Sequence, residues 1–161
     1  GRYDVVLIDC PPSFNIVTKT AIAASDYFIV PTIPDFLSTL GIDYLSNKVE
    51  DLVETYNRYV DICDDPEFTH INPLMMGVLF TMVQVYAGKN PIQAQQRYIT
   101  AVRNRKYPLF ETILRENRTF FSNVTAAPLP VILRKGVGSA QQKVLNEIED
   151  LVSEVLGRME A

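Results

Sequence analysis

The spacing of apolar and polar residues predicts strands that alternate with helices along the chain. Val5 to Ile8 form a continuous apolar run, which is typical of a strand buried on both faces of a parallel sheet. Similar runs predict strands at 26–32, at 74–83 and at 109–114. Strands that alternate with helices favour an α/β fold with a parallel sheet, because parallel neighbours need crossover connections of that length.

Helical periodicity, with apolar residues every three or four positions, predicts four helices, over 13–24, 40–62, 90–104 and from 139 onwards. Ser13 is expected to cap the first of them. Asn90 suits a helix cap and Pro91 tolerates a first helical position, so together they predict the start of the third. Ser139 to Gln142 fit a capping box at the start of the last. Residues 128–133 are expected to form a short extended piece.

Composition is that of one globular domain over residues 1–161, since 47% of the residues are hydrophobic. No apolar run approaches the roughly 20 residues that cross a bilayer. Cys10, Cys63 and the single histidine, His70, make neither a disulfide framework nor a zinc site, which favours a reducing cytoplasm. The net charge of −4 gives no global basic character, so nucleic-acid binding has to depend on a local patch.

Asp9 directly follows the first apolar run, and ligands of parallel α/β sheets bind outside the carboxyl ends of the strands. A carboxylate at such a position needs compensation for lost hydration, and a hydrated magnesium ion beside a nucleotide phosphate would supply it. Alternatively, Asp9 only caps the turn that follows. Pro11 and Pro12 fix the backbone after it, which suits a loop that keeps one shape near a phosphate.

The segments YDVVLIDCPPS (3–13) and AIAASDYFIVPT (21–32) resemble the Walker B segment and the next strand of the ParA/MinD family of deviant Walker-type ATPases, especially its partitioning members. The resemblance continues through GVLFTMV and LFETILRENRTF to the last helix. It implies the carboxyl-terminal part, starting at Walker B, of a P-loop NTPase-like three-layer fold without the phosphate-loop strand. By this resemblance Asp9 would hold Mg²⁺ through water, and Pro11 and Pro12 would belong to the switch that senses the γ-phosphate of ATP.

The same resemblance implies a place for the adenine of ATP at the ends of the third and fourth strands. The residues at those ends are Thr81, Met82, Arg115, Glu116 and Asn117. Many partitioning ATPases carry Ile-Pro-Arg-Asn where this chain has Leu114-Arg-Glu-Asn117, so the proline expected to pack on the base is absent.

The phosphate loop of the family, Lys-Gly-Gly-x-Gly-Lys-Thr, lies upstream of the Walker B segment and does not occur in this sequence. RKGVGSAQ (134–141) opens a helix but lacks the lysine directly before Ser139 that such a loop requires. Because phosphoryl transfer depends on that loop, the chain alone is expected to bind ATP poorly and hydrolyse none. Its start at Gly1, close to an apolar strand, predicts a cut chain whose unpaired edge aggregates or pairs with another chain.

Partitioning ATPases of this family form homodimers with ATP, bind DNA without sequence preference and are stimulated by a ParB-like partner. The candidate DNA-binding residues are basic: Lys89, Arg97, Arg103, Arg105 and Lys106, with Arg118, Arg134 and Lys135 further on. They suit the solvated face of a surface helix equally well. MinD relatives bind membrane through a basic last helix, whereas the last helix here is mainly acidic, with Glu147, Glu149, Asp150, Glu154 and Glu160. No membrane attachment and a cytoplasmic location, on the nucleoid if DNA is bound, are therefore expected.

Two functions of different classes remain. The first is the carboxyl-terminal part of an ATP-hydrolysing, ParA-like partitioning protein. The alternative is a non-enzymatic α/β module that has lost the phosphate loop and binds a partner. Asp9 and the double proline favour the ATPase, because a scaffold has no use for a carboxylate at that position. The codons upstream of Gly1 would discriminate between the two.

Overall fold

Helices and strands alternate in the computed structural model, which describes residues 2–63, 65–86, 90–118, 131–133 and 138–160. The helices are α1 (Ile16–Ala23), α2 (Phe36–Cys63), α3 (Gln93–Asn104) and α4 (Ser139–Met159), with a 3₁₀ turn at Val131–Leu133. The strands are β1 (Tyr27–Thr32), β2 (Leu74–Phe80), β3 (Val85–Tyr86) and β4 (Asn90–Pro91). None of these helices is both long and apolar enough to cross a membrane.

The chain divides into two compact units. Unit 1 comprises Gly1–Phe28 and Gly41–Met75, and unit 2 comprises Ile29–Leu40 and Met76–Ala161. The single domain over 1–161 stays a prediction.

β1 and β2 are neighbours in a parallel sheet. In unit 1 the amide of Leu74 donates to the carbonyl of Asp26 at 2.9 Å, and in unit 2 the amide of Thr81 donates to the carbonyl of Thr32 at 2.9 Å. Both strands therefore advance in the same direction. In β2 the side chains of Met76 to Phe80 are buried without a break, as expected of a strand covered on both faces. The predicted α/β fold with a parallel sheet is confirmed.

The segment 108–116 runs beside β2 in unit 2, with parallel bridges from Val78 to Leu109 and from Val83 to Arg115. The strand predicted at 109–114 is wrong, because the ladder is interrupted between these bridges. Successive amides of a strand point to opposite edges, but those of Glu111 and Thr112 both donate to the Glu154 carboxylate. We call 108–116 the outer segment.

Residues 2–15 form neither helix nor strand, so the strand predicted at 5–8 is wrong. A strand forms where its backbone groups find a partner, and no described strand pairs with these residues. Their apolar side chains are consequently open to solvent, with Leu7 84% and Val6 72% exposed.

The predicted starts of α1 and α3 are also wrong. α1 is capped by Asn15, whose Oδ1 accepts from the amides of Val17 at 3.0 Å and Thr18 at 3.2 Å, rather than by Ser13. Asn90 and Pro91 pair as β4 with β3 in an antiparallel hairpin, so α3 starts only after Ile92. The caps move because an asparagine carboxamide two residues closer to α1 reaches its free amides, and because the hairpin engages the residues before α3.

The start of α4 differs by one residue from the prediction. Gly138 is the N-cap, and its amide donates to Oε1 of Gln141 at 3.2 Å, so Ser139 already lies inside the helix. α2 begins at Phe36 rather than at the predicted residue 40, because Oδ1 of Asp35 accepts from the amide of Ser38 at 2.7 Å. Residues 131–133 are helical rather than extended, and 128–130 lie outside the described residues.

Candidate functional site

Asp9, Pro11 and Pro12 lie in the irregular segment at the start of unit 1, where all three are exposed. The loop that follows Asp9 is held by Thr18, a residue in the first turn of α1 that is 7% exposed. Its hydroxyl donates to the carbonyl of Ser13 at 2.7 Å and lies 3.5 Å from that of Pro11. Thr18 was not predicted, because it lies six residues after Pro12 and its contact arises only in the folded loop.

The irregular segment 2–15 contains two carboxylates, Asp4 and Asp9, and both are exposed. Among the described residues, no three His, Cys, Asp or Glu side chains come together. Mg²⁺ keeps several waters and binds one or two carboxylates together with substrate phosphates. Asp9 therefore fits a water-mediated contact to Mg²⁺, with the remaining ligands supplied by water and a nucleotide.

In unit 2 the structure brings together the residues predicted beside the adenine. The amide of Val83 donates to the carbonyl of Leu114 at 3.1 Å, and the amide of Glu116 donates to that of Val83 at 2.9 Å. Met82 has a φ of 52°, in the left-handed region. Because of this turn, the amide of Thr81 is directed to Thr32 on β1, whereas that of Val83 is directed to the outer segment. An ordinary side chain held in this conformation is strained, and such residues are enriched at functional sites.

A cleft of about 390 Å³ opens beside this turn, lined by Gln84, Val85, Glu116 and Arg118. Oε1 of Glu116 accepts from Nε of Arg118 at 2.7 Å, and Oε2 accepts from Nε2 of Gln84 at 3.0 Å. These hydrogen bonds, that of Arg118 foremost, hold the pKa of Glu116 below the ordinary glutamate value. The cleft thus has an ionised wall with fixed donors and acceptors. Gln84 and Val85 were not predicted, and Arg118 was considered only for DNA.

Two further predicted base residues already have partners. Arg115 has its side chain turned towards α4, where Nε donates to Oε1 of Glu147 at 2.6 Å. The two side chains are 17% and 14% exposed. Asn117 is half-buried and makes a contact of its own. A direct contact of either side chain to a base stays a prediction.

The basic candidates lie on and after α3, and the structure separates them into two kinds. Arg97 and Arg103 are exposed on the helix, whereas Val102 is buried. Arg105 instead anchors the end of α3, because its Nη1 donates to the carbonyl of Thr39 at 3.1 Å. Lys106 is exposed with a φ of 63°. The remaining candidates, Lys89, Arg134 and Lys135, lie outside the described residues.

The stretch of sequence around these basic residues contains no acidic residue. Residues 68–110 include neither Asp nor Glu, although the whole chain has a net charge of −4. Arg97 also lies over the ring of Tyr98, 4.6 Å from its centroid, and donates to its hydroxyl at 2.7 Å. The exposed face of α3 is therefore locally cationic on an acidic protein.

Comparison with known proteins gives matches of two kinds. A family model described as an AAA domain matches residues 1–62. The cell division protein PomZ of Myxococcus xanthus is 29% identical over 163 residues, which cover 100% of this chain and 44% of PomZ. The chromosome partitioning protein ParA of Caulobacter vibrioides is 37% identical over 62 residues, or 38% of this chain and 23% of that protein. The sporulation initiation inhibitor protein Soj of Bacillus subtilis is 34% identical over 84 residues, or 51% of this chain and 27% of Soj.

The chain spans less than half of the length of these three relatives. The AAA domain match contains the Asp9 segment, and the similarity to PomZ also includes the cleft and α3. The family-model match and the relatives named ParA, Soj and PomZ support the resemblance of this chain to the ParA family of ATPases.

Proposed function

We propose that this chain forms the carboxyl-terminal part of an ATP-hydrolysing, ParA-like partitioning protein that dimerises with ATP and acts in chromosome or plasmid segregation. The observation that carries the proposal is the position of Asp9 and the double proline inside the AAA domain match, in a chain that resembles PomZ throughout. ATP and Mg²⁺ are the proposed cofactors. Asp9 contacts the hydrated metal ion, and Pro11 and Pro12 keep the following loop in one shape.

The cleft beside Met82 supports a place for the base of the nucleotide. It lies where β2 and the outer segment end together, and ligands of parallel sheets bind at such ends. Its wall offers the carboxylate of Glu116 and the carboxamide of Gln84 as hydrogen-bonding groups. A phosphate loop, which this sequence does not contain, has to supply the contacts to the phosphates.

The exposed face of α3 supports binding to DNA without sequence preference. Arg97 and Arg103 are exposed on this helix, and no acid occurs between residues 68 and 110. Cationic side chains that contact phosphates release counterions from DNA, which gives affinity independent of sequence. We further propose that the protein forms a homodimer, that a ParB-like partner stimulates it and that it is located on the nucleoid.

Substitution of Asp9 tests the enzymatic part of the proposal. In a protein that joins this chain to a phosphate loop, we expect Asp9→Asn to lower Mg²⁺-dependent ATP hydrolysis by about a hundredfold, because the metal ion loses its anionic contact. Asp4→Asn, which removes an exposed acid from the same segment, is the matched control and should leave the rate unchanged. Full hydrolysis by the Asp9→Asn protein would overturn the role of Asp9, and no hydrolysis by the unaltered protein would favour the partner-binding module.

A further inference from the structure

Two glutamates of α4 accept hydrogen bonds from amides of the outer segment. Glu154 accepts from the amide of Glu111 through Oε1 at 2.9 Å and from that of Thr112 through Oε2 at 3.0 Å. Glu147 accepts from the amide of Arg115 through Oε2 at 3.1 Å. On this side of the segment, carboxylates thus take the place that carbonyls of a neighbouring strand would have.

Arg115 is held by Glu147 through two kinds of contact. Oε2 of Glu147 accepts from the backbone amide of Arg115. Oε1 accepts from Nε of the Arg115 guanidinium at 2.6 Å. Both side chains are largely removed from solvent. Loss of the carboxylate would leave a guanidinium and an amide in a mostly buried place without an acceptor, and the backbone would have to shift to bring water to them.

The residue after Arg115 is Glu116, which lines the cleft. The amide of Glu116 donates to Val83 on the inner side, while Glu147 holds Arg115 on the outer side. The backbone that carries the wall of the cleft is therefore fixed from both sides, and Glu147 supplies the outer contact from a distant part of the sequence.

We propose that Glu147 is a positioning residue for the cleft, which through Arg115 keeps Glu116 in place to receive the base of a purine nucleoside. This inference rests on the proposed nucleotide site. Glu147 does not line the cleft itself, so its effect on a ligand is transmitted through the outer segment. Positioning of this kind changes ligand affinity because a pre-organised wall loses less freedom on binding.

Titration with adenosine, up to millimolar concentrations, tests the inference in the protein that joins this ¹⁵N-labelled chain to a phosphate loop. Adenosine carries no phosphate, so its binding does not depend on a phosphate loop. In the unaltered chain we expect shifts of the amide resonances of Val83, Val85 and Glu116. In Glu147→Ala the dissociation constant for adenosine should rise about tenfold, and the free chain should already show a displaced Glu116 resonance. Glu147→Gln keeps an oxygen for the Arg115 amide and should recover part of the affinity.

Glu149→Ala is the matched control, since it removes an exposed acid from the same helix. It should leave the dissociation constant unchanged. Unshifted β1 resonances verify that a variant is folded, and Glu147→Gln provides the comparison if Glu147→Ala does not fold. Equal affinity in the Glu147 variants and the unaltered chain would overturn the positioning role and leave the base site standing. A lack of adenosine-induced shifts in the unaltered chain would instead overturn the base site and with it the inference.

Discussion

Gly77 on β2 lies directly against the ring of Phe110 on the outer segment. A Cβ at position 77 would stand 3.0 Å from Cδ2 and Cε2 of Phe110 and 3.1 Å from Nη1 of Arg158. The guanidinium of Arg158 covers the same ring, 4.4 Å from its centroid, and donates to the carbonyl of Met76 at 2.8 Å. Glycine is needed at this position because the ring and the guanidinium occupy the space of a side chain.

We expect Gly77→Ala to lower the free energy of unfolding by about 1–3 kcal/mol, because the added methyl group has to displace a packed ring and its guanidinium partner. Urea unfolding measures the change. Gly157→Ala is the matched control: nothing lies within 4 Å of its Cβ position inside α4, so it should stabilise the chain slightly through helix propensity. A Gly77→Ala protein as stable as the unaltered chain would contradict a tight contact between position 77 and the ring of Phe110.

Glu154 should make the free energy of unfolding of the chain depend on pH. Burial raises its pKa, but hydrogen bonds from the amides of Thr112 and Glu111 and from Arg158 outweigh burial and hold the pKa below the ordinary glutamate value. A carboxyl group whose pKa is lowered by folding stabilises the folded state above the pKa of the unfolded chain. This stabilisation is lost as the pH falls through the lower, folded value.

Glu154→Gln is therefore expected to lower the free energy of unfolding by about 2 kcal/mol near neutral pH. The NH₂ group of the glutamine would face a backbone N–H, and neither of these two donors can accept a hydrogen bond. The difference between the two proteins should shrink as the pH falls below the ordinary carboxyl range. Urea unfolding at a series of pH values measures it, with Glu149→Gln as the control from an exposed position on α4. A difference that stays constant with pH would contradict the assigned role of the carboxylate.

The exposed face of α3 predicts the salt dependence of DNA binding. In the protein that joins this chain to a phosphate loop, Arg97→Glu with Arg103→Glu should abolish binding to DNA of any sequence and leave ATP hydrolysis intact. Replacement of the same two residues by alanine should reduce the slope of log affinity against log salt by about two.

Lys19→Glu with Lys143→Glu makes the same change in net charge at exposed positions on α1 and α4, and it serves as the control. Binding measured by fluorescence anisotropy should persist in this variant. An equal loss in both charge-reversed proteins would mean that net charge, rather than α3, governs the affinity, and an unchanged slope in the alanine variant would contradict the assignment.

Regular elements with strong periodicity were predictable from the sequence, and elements that depend on distant partners were not. β1, β2, α2, α3 and α4 all occur close to their predicted places. The run at 5–8 has the composition of a strand. A strand forms only when its backbone pairs with a neighbour, and composition does not reveal whether such a neighbour is present. The outer segment is irregular for a similar reason, because its amides are divided between β2 and a helix that lies more than 30 residues later.

The candidate site was predictable to the extent that it follows strand ends. The resemblance to the ParA/MinD family implied Thr81, Met82 and Glu116 at the ends of the third and fourth strands. In the structure the amide of Glu116 donates to the carbonyl of Val83, the residue after Met82, and a role of these residues at a base stays a prediction. Gln84 and Thr18 were missed, since their roles arise from one hydrogen bond each. The acids of α4 were interpreted only as a charge that disfavours membrane, whereas Glu147 and Glu154 are acceptors for backbone amides.

The carboxylates of α4 also decide what the outer segment exposes. An edge with open amides is a template on which another chain can add a strand, and Glu147 and Glu154 occupy three of those amides. Release of α4, whether by acid or by force, would free these donors at the same moment. With α4 in place these three amides are engaged, so this stretch of the outer segment is closed to an added strand.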